Sequence, residues 1–423
     1  MSIPRVVRVR QTFRASPLDD VAGSVTAQIA ALGLAGRVQQ GASVAVGCSS
    51  RGIANYGEIV KATLDSLRDL GLRPFLFPAM GSHGAATAEG QKEVLEGYGL
   101  SEAAMGVPIR SSLETVHLGE LPEGVPVQID RYAQEADYIV LANRIKAHTE
   151  FTHDFESGLL KMMAIGMGKE AGATLYHKAF MIHGYPKIIQ SVAERVMATG
   201  KVLFGVGIVE DAFCNTAAVE ALPPERLIER EKALLRLSKE LSPRLPFEDV
   251  DVLVIDEMGK DISGAGFDSK VVGRILMPLV SAEPESPRVK RIVVCDLTDK
   301  SAGNADGIGV ADFITRRLYE KIDLDALYVN ALAGSEPEHA RIPMTMPSDR
   351  DAVAAGVNTV GLIAREDLRL LRIKNTLRLD ELEMSEAYLA EAVARADLEV
   401  LSEPYELAFN AAGALQPIFA DDG

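Results

Sequence analysis

Between Ile145 and His177 the chain reads IKAHTEFTHDFESGLLKMMAIGMGKEAGATLYH, and this window holds three of its seven histidines: His148, His153 and His177. The same window carries Lys161 and Lys169, set among Gly158, Gly166, Gly168 and Gly172. Imidazoles exchange protons near neutral pH and are common metal ligands. A lysine inside LLKMMAIGMGK is poorly placed for solvation, which makes Lys161 a candidate covalent amine and Lys169 an alternative anion-binding one. Ser157–Lys161 reads as the start of a helix whose amides could bind an anion. Asp154 and Glu156 could orient the imidazoles of His148 and His153. His177 follows a helix-like stretch, where it is a metal ligand or a cap for the helix end.

Two more groups lie upstream. Gly81-Ser82-His83-Gly84 precedes a helix begun by Thr87. Glycines for backbone freedom and an N-capping threonine account for the turn, but not for a histidine inside it, so His83 is a candidate acid or base. Cys48-Ser49-Ser50-Arg51-Gly52 is a polar turn in which Arg51 either is solvated or grips a carboxylate or phosphate bidentately. A later glycine-rich stretch, Met258–Asp268, lacks the GxGxxG order of a dinucleotide site, and there is no Walker lysine.

These groups need strands and helices to position them. Ser43–Val46, Pro74–Phe77, Asp137–Ala142 and Val202–Ile208 read as buried strands. Ile59–Leu70 and Thr87–Tyr98 read as helices between them, the rhythm of a mostly parallel sheet. Arg51, His83 and His148 each follow a strand, the end at which open α/β sheets do chemistry. A charged amphipathic helix over Leu222–Leu241 and a proline-bearing linker at Ser242–Asp249 come next. The rhythm then restarts with Asp251–Ile255, Ile292–Cys295, Ala326–Asn330 and Val360–Ala364, and ELEMSEAYLAEAVARADLEVL reads as a terminal helix. The expected fold is α/β, with two Rossmann-like domains at 1–245 and 250–423 and a ligand cleft between them, the final segment packing back on the first domain.

The 423 residues carry 60 acidic against 44 basic side chains, a net charge of -16. That balance argues against a nucleic-acid partner, whose phosphates need a basic face. The N-terminus alternates apolar and basic residues like a strand and has no apolar signal core. No run approaches the ~18 apolar residues of a membrane span. Three cysteines, Cys48, Cys214 and Cys295, have no metal-binding spacing and suit mostly buried thiols in a reducing, cytoplasmic setting.

Taken together, SSRG at 49–52, GSHGAAT at 81–87, IKAH then SGLLK through Lys161, and His177 resemble the nickel-pincer lactate racemase family. GKDISGAGFD at 259–268 and RIPMTMPSDRDA at 341–352 resemble a branch other than the lactate enzyme. The resemblance implies an isomerase that racemises or epimerises a small 2-hydroxy acid by proton-coupled hydride transfer. It implies a nickel-pincer nucleotide, a pyridinium-type mononucleotide with nickel, joined covalently to Lys161, with Ser82 and Gly158 beside it and His177 on the metal. His83 and His148 match the acid/base pair, Arg51 a substrate-site arginine, and Lys270 a second substrate contact. The family's second-domain tyrosine has no match, because Phe267 stands nearby, and the His148–Lys161 loop is longer and holds the extra His153. A pyridine-nucleotide oxidoreductase, or a non-catalytic nickel- or nucleotide-binding homologue, are the alternative readings. The oligomeric state stays open.

Overall fold

The computed structural model describes residues 2–50 and 52–417. It is a mixed α/β protein whose chain divides into two compact units, Arg14–His148 with Thr152–Ser242, and Met1–Phe13 with Thr149–Phe151 and Pro243–Gly423.

The first unit is built on a five-stranded sheet in the order Arg73–Pro78, Ser43–Cys48, Tyr138–Arg144, Val202–Glu210, Thr216–Leu222. The first four strands are parallel and the last is antiparallel. The parallel strands are near-continuous apolar runs because both of their faces are covered. Val44, Val46, Leu76, Val140, Ala142, Phe204 and Val206 share one core with the helices Val21–Ala31 and Tyr56–Asp69. Gly47 permits close packing inside the sheet, since a Cβ there would lie 2.7 Å from Leu141 and 2.9 Å from Phe77. The charged helix starts at Leu227 rather than Leu222. The residues before it, Thr216–Leu222, pair with Val202–Glu210 as an antiparallel strand instead.

The second unit carries a nine-stranded sheet. Met344–Met346, Phe313–Thr315, Arg288–Val294, Asp249–Ile255 and Leu370–Ile373 run parallel in that order; Glu381–Ser385 then pairs antiparallel with Leu370–Ile373, and Arg5–Gln11 pairs antiparallel with Glu381–Ser385. Leu398–Val400 and Tyr405–Glu406 both pair with Arg5–Gln11. The N-terminal strand thus lies in this unit and not in the N-terminal domain expected for residues 1–245. Charge explains the placement. Arg8 and Arg10 face Glu381 at 2.8 and 2.9 Å, and Arg10 also faces Glu399 at 3.1 Å, while Val7 and Val9 enter the core. This pairing also overrides the helical reading of residues 381–401, in which only Leu389–Val393 forms an α-helix.

Two other expectations fail here. Ala326–Asn330 is helical, within Leu324–Gly334, because Asp323 caps the amides of Asp325 and Ala326. Val360–Ala364 is a loop, and the strand falls at Leu370–Ile373. Among the described residues no helix is long and apolar enough to cross a membrane.

Candidate active site

Three neighbouring parallel strands deliver the candidate groups. The central strand Ser43–Cys48 runs into Ser50, one neighbour, Arg73–Pro78, into the His83 turn, and the other, Tyr138–Arg144, into the loop bearing His148. Tyr56, fully buried, ties two of these ends together: its hydroxyl donates to Ala142 O at 2.9 Å and accepts from Ser49 N at 2.7 Å. Arg51 itself lies outside the described residues.

His83 is exposed, and its Nδ1 is hydrogen-bonded to Ser50 Oγ. The turn around it is tight: Gly81, Gly84, Ala85 and Ala86 all have left-handed φ, between +50° and +66°. Two of the four are alanines, which rarely adopt that region. Ser82 is exposed and accepts from Ala86 N at 3.1 Å. Thr87 caps the following helix through Gly90 N, as its position in the sequence implies.

His148 is buried, and its Nε2 contacts Lys161 Nζ. Glu156 organises the surrounding loop. One carboxylate oxygen accepts from His148 N at 2.6 Å, and the other from His153 N at 3.1 Å and Lys239 Nζ at 2.5 Å. Asp154 turns to Lys232 at 3.3 Å, and the exposed His153 ring stacks edge-on against Phe155.

Lys161 ends the short helix Leu159–Lys161, which runs on into a π-turn over Met162–Gly166. Such turns are rare and cluster at functional sites. The helix amides are not open to an external anion. Leu159 N and Leu160 N donate to Glu231 Oε2 at 2.9 and 3.1 Å. Burial pushes the Glu231 carboxyl up to about 8, so at neutral pH it caps the helix mainly as an uncharged acid. Gly158 is required just before it, because a Cβ there would lie 2.4 Å from Glu231 Oε1. Its carbonyl accepts from Asn143 at 2.9 Å.

Lys169 is not an anion-binding amine either. It is fully buried, donates to Pro78 O at 2.5 Å and Gln91 Oε1 at 3.0 Å, and forms an ion pair with Asp130 at 3.0 Å.

His177 lies inside the helix Lys169–His183 rather than at its end. Its Nδ1 hydrogen-bonds to Ala173 O at 2.8 Å, which fixes the orientation of the ring. Its ring meets Phe180 edge-on, Phe180 stacks on Tyr185, and Tyr185 leans on His148 at 6.1 Å, so His177 and His148 end one aromatic string. No group of three or more His, Cys, Asp or Glu able to hold a metal occurs among the described residues. If a cofactor binds here, the amine of Lys161 and the imidazole of His177 are the donor types that would hold it.

Lys270 belongs to the other unit, where Nζ donates to Phe151 O at 3.0 Å and its neighbour Ser269 holds Thr149 O at 2.5 Å. Sequence reasoning missed Ser50, Gln91, Asp130 and Glu231. Only Glu231 left a signal: it occupies the apolar stripe of its helix with Leu227, Leu234, Leu235 and Leu241.

The first unit is an α/β fold that places two imidazoles and an amine beyond adjacent parallel strands. Comparison with known proteins narrows this. Residues 23–187 match the lactate racemase N-terminal domain family, a stretch holding every candidate group except Lys270. Among solved structures, the lactate racemase apoprotein from Thermoanaerobacterium thermosaccharolyticum is similar, with 12% identity and a TM-score of 0.45 over 69% of this chain and 74% of that one. That likeness is too slight to carry functional weight. No curated protein matches the chain by sequence.

Proposed function

We propose that the protein is a cytoplasmic racemase or epimerase of a small 2-hydroxy acid, working with a nickel-pincer nucleotide attached through Lys161. The observation that carries this reading is the Lys161–His148 contact inside the stretch that matches the lactate racemase N-terminal domain. The bound cofactor supplies the hydride acceptor, which spares the substrate a carbanion beside a carboxylate. The chain's own residues do the rest. His177 offers Nε2 to nickel, and Ser82 and the Gly158 backbone border the nucleotide. Arg51 holds the substrate carboxylate. His83 and His148 move the hydroxyl proton, one for each enantiomer.

The Lys161–His148 pair also gives attachment a consequence. Before attachment, Lys161 Nζ contacts His148 Nε2, so cofactor attachment at Lys161 changes the surroundings of the proposed base directly. The missing tyrosine and the longer histidine loop favour a 2-hydroxy acid other than lactate.

Co-expression with cofactor-making enzymes, followed by intact-protein mass and nickel analysis, tests the class. A covalent adduct on Lys161 with bound nickel is expected, together with inversion of at least one 2-hydroxy acid by chiral chromatography. An unmodified Lys161 under those conditions overturns it. An adduct with no inversion across a broad panel identifies a non-catalytic homologue, and an NADH-dependent absorbance change without the adduct identifies an oxidoreductase.

A further inference from the structure

The buried ammonium of Lys169 and the carboxamide of Gln91 form a relay that ends on the His83 turn. Lys169 and Asp130 are both fully inaccessible, and Lys169 adopts φ +57° to reach its place. Asp130 is fixed in turn, because its other oxygen accepts from Ala133 N at 2.9 Å as a helix cap. A lysine can only donate. Gln91, also fully buried, must therefore aim Oε1 at Lys169, which commits its NH2 group to the opposite side. There its two protons meet Gly81 O at 2.7 Å and His83 O at 3.2 Å. These are the backbone carbonyls of a turn with four left-handed residues, a shape that persists only when its surroundings over-determine it. The turn is held from a second side by Gly81 N donating to Gly166 O at 3.1 Å, at the end of the π-turn that follows Lys161.

We infer that Lys169 and Gln91 are positioning residues: the fixed ammonium sets the orientation of the Gln91 carboxamide, and the carboxamide holds the His83 turn so that Nδ1 meets Ser50. The inference rests on the reading of His83 as an acid/base group, but its test reads the ring itself and not turnover. A failed racemase assay therefore leaves it standing, and the reverse holds equally.

The experiment records the ring nitrogen resonances of His83 by NMR in the full chain, with S50A as the reference for a ring that has lost its Nδ1 partner. Q91E keeps the size of the side chain and its pairing with Lys169, but turns an acceptor toward two carbonyl oxygens. It is expected to shift the His83 tautomer ratio several-fold toward that of S50A, while the ring signals of His177 stay in place. A folded Q91E protein with wild-type His83 signals overturns the relay. In the unmodified protein the Gln91 side-chain amide protons are expected to exchange at least ~100-fold more slowly than those of a free glutamine amide. Exchange at the free rate overturns it as well, whether or not the variant folds.

Discussion

Lys161 and Lys169 lie on one continuous stretch of chain, yet their surroundings have opposite chemistry. Lys161 is half-buried, ends a short helix and touches an imidazole. Lys169 is sealed from solvent and satisfied by three oxygens. Each region also contains a buried carboxyl, and these differ in the same sense. Asp130 faces a cation, while Glu231 faces only two backbone amides. Burial raises the Asp130 carboxyl and lowers the Lys169 amine, each resisted by the other's charge. Nothing cationic opposes burial at Glu231, and its carboxyl rises to about 8. The lesson is that a lysine in an apolar stretch is reactive or structural according to the partner it finds: a carboxylate locks the ammonium in place, whereas a neutral base leaves the amine available.

The contrast breaks first at Lys169. K169M leaves Asp130 buried without its cation, an arrangement that costs about 3–5 kcal/mol. Urea denaturation should show that loss, and a K169M protein as stable as wild type would refute the structural role. Glu231 comes next. E231A orphans two buried amides, at about 1–3 kcal/mol each, while E231Q keeps the carbonyl they need. The pH dependence separates the two carboxyls further. Between the unfolded value of 4.5 and the folded value of about 8, the unfolded chain holds fewer protons at Glu231 than the native one. Stability therefore falls as pH rises through that window. E231Q removes this dependence, so its stability relative to wild type should improve from pH 5 to pH 8. An unchanged difference would mean that Glu231 is ionised in the fold.

How much of this was legible depended on the range of the interaction. The strands Ser43–Cys48, Arg73–Pro78 and Tyr138–Arg144 announce themselves as short apolar runs, and the groups that follow them inherit their place from the sheet. Ala326–Asn330 misled because Leu, Tyr and Val suit a strand, whereas the cap at Asp323 decides for a helix. Residues 381–401 misled because Glu, Leu, Met and Ala favour a helix, whereas cross-strand pairing with Arg8 and Arg10 comes from the far end of the chain. At the site, Lys161 stands out through its motif. The structural fate of Lys169 was not, since its partners Gln91 and Pro78 are 78 and 91 positions away. Glu231 acts across 72 positions.

A smaller steric effect probes the floor of the Lys161 turn. In G158A the new methyl would meet Glu231 Oε1 at 2.4 Å and its carboxyl carbon at 2.7 Å. Overpacking of this kind costs about 1–3 kcal/mol. The combined variant G158A/E231A should recover part of that loss if the clash is with Glu231, whereas purely additive losses would place the strain elsewhere.

The smallest expected change in stability is at Lys161 itself. K161M removes a half-buried amine that contacts the His148 ring. The cost should stay within about 0.5 kcal/mol of wild type, the usual range for a substitution outside a packed core. The same difference has a chemical readout. An amine-acylating reagent applied to the native protein should modify Lys161 well before Lys169, since acylation needs a deprotonated, reachable amine, and Lys169 has its ammonium bound on all three sides. Peptide mass mapping over time measures both lysines in one sample. Equal labelling rates for the two would erase the distinction between the two lysines, and labelling of Lys169 first would invert it.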